Sequence, residues 1–156
     1  MVDERNRELD DAQENLYFAF RSLTAEPDRV LLQRGLSRVH HRILYFVRRN
    51  PGLGPGELLR ILRVSRQALA RPLRELSGQG LLRRESVPTN RRRKRLVLTA
   101  AGARLERRLS DLQRRRFATA FAAAGQSATA GWCRVMTLLR TADRRSAGTD
   151  LLRSHA

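Results

Sequence analysis

The sequence predicts a mainly α-helical fold with one small β-hairpin, which places it in the α+β class. Three observations support this prediction: two short helical patterns joined by a tight turn, two strand-like runs directly after them, and longer amphipathic helical patterns on both sides. The chain has 156 residues, the size of a single domain. We therefore expect one domain, residues 1–156, that is organised around the central stretch of residues 36–99.

The two short helical patterns lie within residues 55–78. The first covers residues 55–62 and begins with Pro55, which suits a first helical turn because no amide hydrogen bond is lost there. The second begins after Ser65, whose hydroxyl can accept a hydrogen bond from a first-turn amide, and Gly78 stops it. Two short helices with a three-residue turn between them are typical of a helix-turn-helix.

Leucines occupy one face of the second helix, so its opposite face is predicted to be exposed and basic. That opposite face carries Arg66, Gln67, Ala70, Arg71 and Arg74. Arginine can bond guanine O6 and N7 together, and glutamine can bond adenine N6 and N7. We therefore predict base contacts from Arg66, Gln67 and Arg71. Phosphate contacts are predicted for Arg63, Ser65 and Arg74. The alternative is a solvated basic face on an ordinary helix.

Two strand-like runs, residues 81–87 and 95–99, follow the second helix, and Pro88 begins the connection between them. The connection ends in a basic loop at residues 90–95, which contains Arg91, Arg92, Arg93 and Lys94. So much charge at a hairpin tip repels itself in solution but becomes favourable beside phosphates or in a narrow minor groove. The sequence therefore predicts a winged helix-turn-helix, with a helix in one groove and a two-stranded β wing in the next.

Positive charge is concentrated on this central stretch and on the segment that follows it. Residues 60–116 hold 18 Arg and Lys against 4 Asp and Glu, a net +14, whereas residues 1–30 hold 4 against 8, a net −4. The whole chain carries a net charge of +17. Such a localised positive field predicts double-stranded DNA as the partner. A protein that coats nucleic acid through charge alone, without sequence preference, is the alternative.

Four further helices are predicted around the central motif. They cover residues 7–23, 37–49, 100–124 and 130–144, with Pro27 interrupting the pattern after the first and Gly125 separating the last two.

The helices at the two chain ends have apolar faces, and the central motif offers too little core surface for these faces to pack against. Exchange of these helices across a two-fold axis is an economical way to bury them, so we expect residues 7–35 and 100–145 to form the dimerisation lobe of a homodimer. A monomeric antiparallel bundle is the alternative. The small, polar tail of residues 146–156 is expected to fray.

The ordered set of motifs resembles the MarR family of bacterial transcriptional regulators. The segments that carry this resemblance are Glu57–Leu59, Val64–Leu69, Leu73–Leu76 with Gly80–Leu81, and Leu98–Gly102. The resemblance implies a homodimer that binds a pseudo-palindromic DNA operator and most often represses transcription. It also implies that residues 36–99 form the DNA-binding lobe.

Three residues depart from the family pattern. Asn90 stands where the family's wing commonly has an aspartate that orients an arginine, so Arg92 keeps the predicted minor-groove role without a charged partner, and Arg91 and Arg93 are the alternatives. Arg63 stands where glycine is common, which implies a cost of about 1 kcal/mol for positive φ, or a different turn. Pro72 lies inside the second short helix, where we expect a bend rather than a break.

The resemblance also implies a small-molecule pocket between the first, second and long helices. The candidate pocket residues are His40, Tyr17, Phe20 and Ile43. His40 lies on the apolar side of its helix, where an imidazole can pair with a small anionic or aromatic effector, whereas His41 and Tyr45 are predicted to project away. The alternative is a core histidine that bonds a backbone carbonyl.

Several other functions are not expected from this sequence. Cys133 is the only cysteine, which excludes an intrachain disulfide and a zinc cluster, and we interpret it as a buried small apolar residue. No nucleophile elbow, phosphate-binding glycine loop or metal motif is present, so neither catalysis, a metal nor a cofactor is predicted. No run approaches the roughly 20 apolar residues of a membrane span, and the acidic N-terminus is unlike a secretory signal, so the expected location is the cytoplasm.

Overall fold

The computed structural model describes the backbone of residues 2–153 and the side chains of residues 3–90 and 92–141. The elements are helices α1 to α4 at Val2–Leu32, Arg38–Arg49, Pro55–Leu62 and Arg66–Gly78, strands β1 and β2 at Leu82–Val87 and Asn90–Leu98, and helix α5 at Ala100–Arg153. This is the mainly helical, winged helix-turn-helix architecture that the sequence predicted. The chain divides into two compact units, Met1–Arg114 and Arg115–Ala156, and each is described by itself.

The core of the first unit consists mainly of leucines, and α2 contributes residues from its middle. The residues exposed by 2% or less include Leu31, Ile43, Leu44, Leu58, Leu76, Leu81, Leu96 and Leu109. On α4 the predicted leucine face, Leu69, Leu73 and Leu76, is buried. Burial of this face orients α4, because the opposite side of the helix is then turned to solvent.

Helix α1 is longer than the sequence predicted. We expected it to end near residue 23 and to be interrupted at Pro27, but the helix runs from Val2 to Leu32 with Pro27 inside it. Pro27 and Leu31 are fully buried, so core packing offsets the hydrogen bond that proline removes.

The turn between α3 and α4 contains a residue in the left-handed backbone conformation. Arg63 adopts the left-handed conformation, with φ 52° and ψ 47°, where the family commonly has glycine. Ser65 caps α4 as predicted, because its hydroxyl oxygen accepts a hydrogen bond from the Ala68 amide at 3.1 Å. Helix α4 continues through Pro72, whose ring is buried beside the leucine face.

The wing differs from the prediction in where its basic residues lie. We expected residues 90–95 to form a loop, but β2 begins at Asn90, which pairs with Val87, and only residues 88 and 89 form the turn. The antiparallel register places Ser86 opposite Lys94 and Glu85 opposite Arg95. These cross-strand pairs offset the repulsion between cations, which explains why the basic run is accommodated in a strand.

Helix α5 begins close against the start of the wing. The Thr99 hydroxyl accepts a hydrogen bond from the Gly102 amide at 3.1 Å and donates one to the Gly80 carbonyl at 2.6 Å. A Cβ added at Gly102 would lie 1.9 Å from the Leu81 carbonyl oxygen. Only glycine therefore allows α5 and the base of the wing to approach this closely.

The second unit holds the rest of α5. The helix is kinked at Gly125, which has a φ of 84° and a ψ of 170°, where the sequence predicted a break. Phe117, Phe121 and Trp132 pack around this kink with ring centroids 5.4 Å apart. The helical backbone continues to Arg153, past the predicted end at residue 144, and residues 154–156 of the predicted tail lie outside the described residues.

Candidate nucleic-acid interface

Helix α4 presents a basic surface to solvent. Arg66, Gln67, Arg71 and Arg74 are exposed on this helix, and Ala70 is half-buried between them. Among the described residues, the side chains of Arg66, Gln67 and Arg74 have no ion-pair or hydrogen-bond partner. We call Arg66, Gln67, Ala70, Arg71 and Arg74 together the α4 surface. Its three side chains without a partner are free to meet the edge of a base or a phosphate.

Arg71 differs from the other arginines of the α4 surface, because it is part of a chain of hydrogen bonds. Its Nε donates to Oε1 of Glu75 at 2.8 Å, and Oε2 of Glu75 lies 2.8 Å from Nε2 of His40 on α2. Nδ1 of His40 accepts a hydrogen bond from the Ser37 amide at 3.0 Å. Since Nδ1 is an acceptor, the proton of the neutral imidazole is on Nε2 and is donated to Glu75.

These partners favour the ionised form of the Glu75 carboxyl. Hydrogen bonds from Arg71 and, second in size, from His40 lower the pKa of the Glu75 carboxyl, and the same contact raises the pKa of Arg71. Sequence reasoning did not single out Glu75. The spacing of four residues between Arg71 and Glu75 on one helix was the signal that could have found it.

On the wing, most of the basic side chains are engaged within the fold. Arg93 pairs with Glu57 at 3.3 Å, Nζ of Lys94 donates to the Ser86 hydroxyl at 2.7 Å, and Arg95 pairs with Glu85 at 2.8 Å. These contacts tie β2 to β1 and to the first turn of α3. Because of these contacts, fewer side-chain cations of the wing are available to contact phosphates than its sequence alone indicates.

Arg92 is the exception among the described cations of residues 92–95. Its side chain is exposed and has no partner within the described part of the chain. Its amide donates a hydrogen bond to Oδ1 of Asn90 at 3.1 Å, so Asn90 orients the backbone of Arg92 instead of its guanidinium. The side chain of Arg91 lies outside the described residues.

A cavity of about 220 Å³ lies in the first unit. It is lined by Phe20, Thr24, Pro27, Asp28, Arg38, His41, Arg42, Tyr45, Phe46 and Gln113. Of the predicted pocket residues only Phe20 is among them, because His40 bonds Glu75, Ile43 is fully buried in the core and Tyr17 is 59% exposed.

His41 and Tyr45, predicted to project away, line the cavity instead. Helix α2 is buried on more than one side. The prediction assumed a single apolar face and was therefore wrong for both residues. Nε2 of His41 is buried without a hydrogen-bond partner in the described part of the protein, and desolvation lowers the pKa of this imidazole. Arg38, at the cavity wall, forms a bidentate pair with Asp28, with N–O distances of 2.6 to 3.0 Å.

Sequence reasoning also missed a buried carboxylate near this cavity. Glu106 on α5 is 1% exposed, and Oε2 accepts a hydrogen bond from Arg48 of α2 at 2.6 Å. Ser110 donates to its other oxygen at 2.5 Å. Such a pair is costly to break, so it fixes α2 against the first turns of α5.

Within the described residues, no group of side chains is arranged to hold a metal ion and no helix is long and apolar enough to cross a membrane.

The helix-turn-helix, the two-stranded wing and the exposed α4 surface define a winged-helix DNA-binding protein. A sequence profile of the MarR family matches residues 34–93. The HTH-type transcriptional regulator PetP of Rhodobacter capsulatus is 43% identical over 123 residues, which cover 79% of this chain and 74% of that protein. The chain therefore belongs to the MarR family of transcription regulators.

Two solved structures have the same fold at low sequence identity. The S. aureus MepR–DNA complex has a TM-score of 0.68 at 16% identity, covering 83% of this chain and 96% of that chain. NadR in complex with 4-hydroxyphenylacetate has a TM-score of 0.65 at 22% identity, covering 80% of this chain and 89% of that chain.

Proposed function

We propose that this protein is a homodimeric transcriptional repressor that binds a pseudo-palindromic DNA operator and is released from it by a small anionic, aromatic effector. The observation that carries the DNA-binding part is the α4 surface, where Arg66, Gln67 and Arg74 face solvent without a partner among the described residues. Unpaired guanidinium groups on a helix of this fold suit the major groove of DNA. The DNA complex of MepR supports the same assignment.

Each residue of the site has a proposed role. Arg66, Gln67 and Arg71 contact base edges, while Ala70 allows close approach to the groove. Arg63, Ser65 and Arg74 contact phosphates. Arg92 enters the minor groove, and Arg91, Arg93 and Lys94 add charge around it.

Exposed apolar side chains support the proposed homodimer. On α1, Leu9 is 62% exposed and Phe18 is 51% exposed, although both are large apolar residues. In the second unit, Leu138 and Leu139 are 60% and 56% exposed. A second copy of the chain would cover both sets, and two-fold symmetry would present two α4 surfaces to the two half-sites of one operator.

The cavity lined by His41 is the proposed effector site. Its lining combines the rings of Phe20, Tyr45 and Phe46 with six polar side chains, which are Thr24, Asp28, Arg38, Arg42, Gln113 and His41. Asp28 already pairs with Arg38, so Arg42 and the Nε2 of His41, which has no partner among the described residues, are the groups available to an anion. A single-ring aromatic acid suits this lining, since the ring meets Phe20 and Tyr45 while the carboxylate meets a guanidinium. NadR, which is solved with 4-hydroxyphenylacetate, supports this class of ligand.

Competition between DNA sequences tests the proposed function. Duplexes selected from a random pool by the full-length protein should share an inverted repeat, and one of them should bind at least ~10³-fold more tightly than its scrambled counterpart at fixed salt. Equal binding of the two duplexes would support the alternative, a protein that coats DNA through charge alone.

The effector part needs a separate measurement. Addition of 4-hydroxyphenylacetate should weaken operator binding, and His41→Leu should reduce this response while leaving operator affinity without effector unchanged. A response that is the same in both proteins would contradict the assignment of this cavity.

A further inference from the structure

Arg71 is exposed but is held in place at one edge only. Its side chain is 81% exposed, yet its Nε donates to Glu75 at 2.8 Å. Among the described residues Glu75 is the only partner of this guanidinium. The outer edge, formed by the two Nη groups, therefore remains available. That edge carries the two parallel N–H donors that a guanine can accept on O6 and N7.

Glu75 is itself fixed from the other side. Its second oxygen lies 2.8 Å from Nε2 of His40, and His40 is only 4% exposed. Nδ1 of His40 accepts a hydrogen bond from the Ser37 amide at the start of α2, at 3.0 Å. The imidazole is thus held at both nitrogens. A rigid chain of contacts runs from the N-terminus of α2 to the exposed guanidinium of Arg71 on α4.

We propose that Glu75 is a positioning residue that determines specificity, because it holds Arg71 in the orientation that reads a guanine of the operator. This inference rests on the proposed function, in which α4 enters the major groove. A free arginine adapts to many acceptors, including phosphates, whereas a guanidinium fixed at Nε offers its fork in one direction. The Glu75 carboxylate also repels phosphates, which weakens binding to other sequences.

The other arginines of the α4 surface provide the contrast. Arg66 and Arg74 have no carboxylate partner within the described residues, so nothing in the fold fixes the direction of their guanidinium groups. Arg71 is therefore the arginine of α4 best suited to discriminate between bases, whereas the base contact proposed for Arg66 is less selective and Arg74 suits a phosphate.

Replacing Glu75 tests the inference on the full-length protein. The DNA probes are the selected operator, the same operator with 7-deazaguanine at the guanines that α4 protects from methylation, and a scrambled duplex. We expect the wild type to lose about tenfold in affinity when N7 is removed at the guanine read by Arg71. In Glu75→Ala this loss should fall to about twofold, while affinity for the scrambled duplex should rise because a negative charge is gone.

Three further variants separate positioning from charge and from folding. Glu85→Ala removes a carboxylate from the wing and should raise scrambled-duplex affinity without changing the response to 7-deazaguanine. Adding Glu75→Ala to Arg71→Ala should leave that response as it is in Arg71→Ala alone. Glu75→Met, which has a similar length but no oxygen to accept from Arg71, should show the same reduced response as Glu75→Ala and takes its place if the alanine variant does not fold.

The outcomes distinguish failure of this inference from failure of the proposed function. A wild type that discriminates the operator but shows an unchanged response to 7-deazaguanine in folded Glu75 variants would overturn the inference alone. So would an operator in which α4 protects no guanine. A wild type that binds operator and scrambled duplexes equally would overturn the proposed function itself.

Discussion

The α4 surface and the wing are both basic, but they hold their cations in different ways. On α4, Arg66 and Arg74 have no partner among the described residues, and Arg71 is tied at one edge only. On the wing, Arg93 and Arg95 pair with carboxylates of the first unit. The arginines of this motif therefore serve two purposes. The paired arginines of the wing hold its strands in register, and the unpaired arginines of α4 remain available to DNA.

The same contrast shows why charge density is a poor guide to which arginine meets DNA. Residues 91–95 are an unbroken basic run, yet the contacts of the fold leave Arg92 as the described cation of this run without a partner. A guanidinium that already has a carboxylate partner gains less from a phosphate than one that has none.

The largest effect is expected from Gly102→Ala, which disrupts the base of the wing. The added Cβ would lie 1.9 Å from the Leu81 carbonyl oxygen, so α5 and the wing must separate. We expect the free energy of unfolding to fall by about 3 kcal/mol in urea titrations. Gly131→Ala is the matched control, since nothing lies within 4 Å of its added Cβ, and it should be neutral or stabilising by up to about 1 kcal/mol. Equal stability of the two variants would show that the wing does not depend on this close approach.

A smaller effect, on DNA binding instead of folding, is expected from Arg92→Ala. Loss of an unpaired guanidinium from the wing should weaken operator binding by about 1 to 3 kcal/mol with dimerisation intact, as measured by fluorescence anisotropy and sedimentation. Arg93→Ala is the comparison, because Arg93 is already paired with Glu57 and should cost less. If the two losses were equal, the distinction between paired and unpaired wing cations would be wrong.

The smallest effect concerns the pH dependence of the wing. Hydrogen bonds from Arg95 and, second, from Arg83 lower the pKa of the Glu85 carboxyl. The folded state then binds fewer protons than the unfolded state, so the stabilisation by Glu85 is complete above the ordinary glutamate pKa of about 4.3 and is lost as pH falls through the folded value.

Thermal unfolding of Glu85→Gln tests this sign. Its deficit in unfolding temperature relative to the wild type should be largest near neutral pH and should shrink as the pH falls below about 4.3. A deficit that stays constant down to pH 3 would mean that the carboxylate charge does not stabilise the wing.

The sequence was sufficient to predict the order of elements and the exposed face of α4, because leucines at helical spacing leave only one face for Arg66 and Arg71. It was not sufficient for the wing, where Asn90 and the basic run were expected in a loop. Strand composition disfavours adjacent arginines, and only the cross-strand register shows that Glu85 lies opposite Arg95 and offsets its charge, while Ser86 lies opposite Lys94 and accepts its hydrogen bond.

The two adjacent histidines of α2 show a different limit. A helical pattern with one apolar side favoured His40 as the pocket residue, but α2 packs against several elements, and the structure places His40 against α4 and His41 in the cavity. Periodicity identified one buried face of α2, but it missed His41, which is buried against a second element. It also does not identify which neighbouring element each buried residue contacts.

Methylation protection on the selected operator locates the contacts of α4 in the major groove and so shows whether two copies of α4 bind one operator. We predict two patches of protected guanine N7 atoms whose centres are about 10 to 10.5 base pairs apart, with minor-groove protection beside each patch from the wing. A single patch, or uniform protection without this spacing, would contradict a dimer that presents two α4 surfaces to one operator.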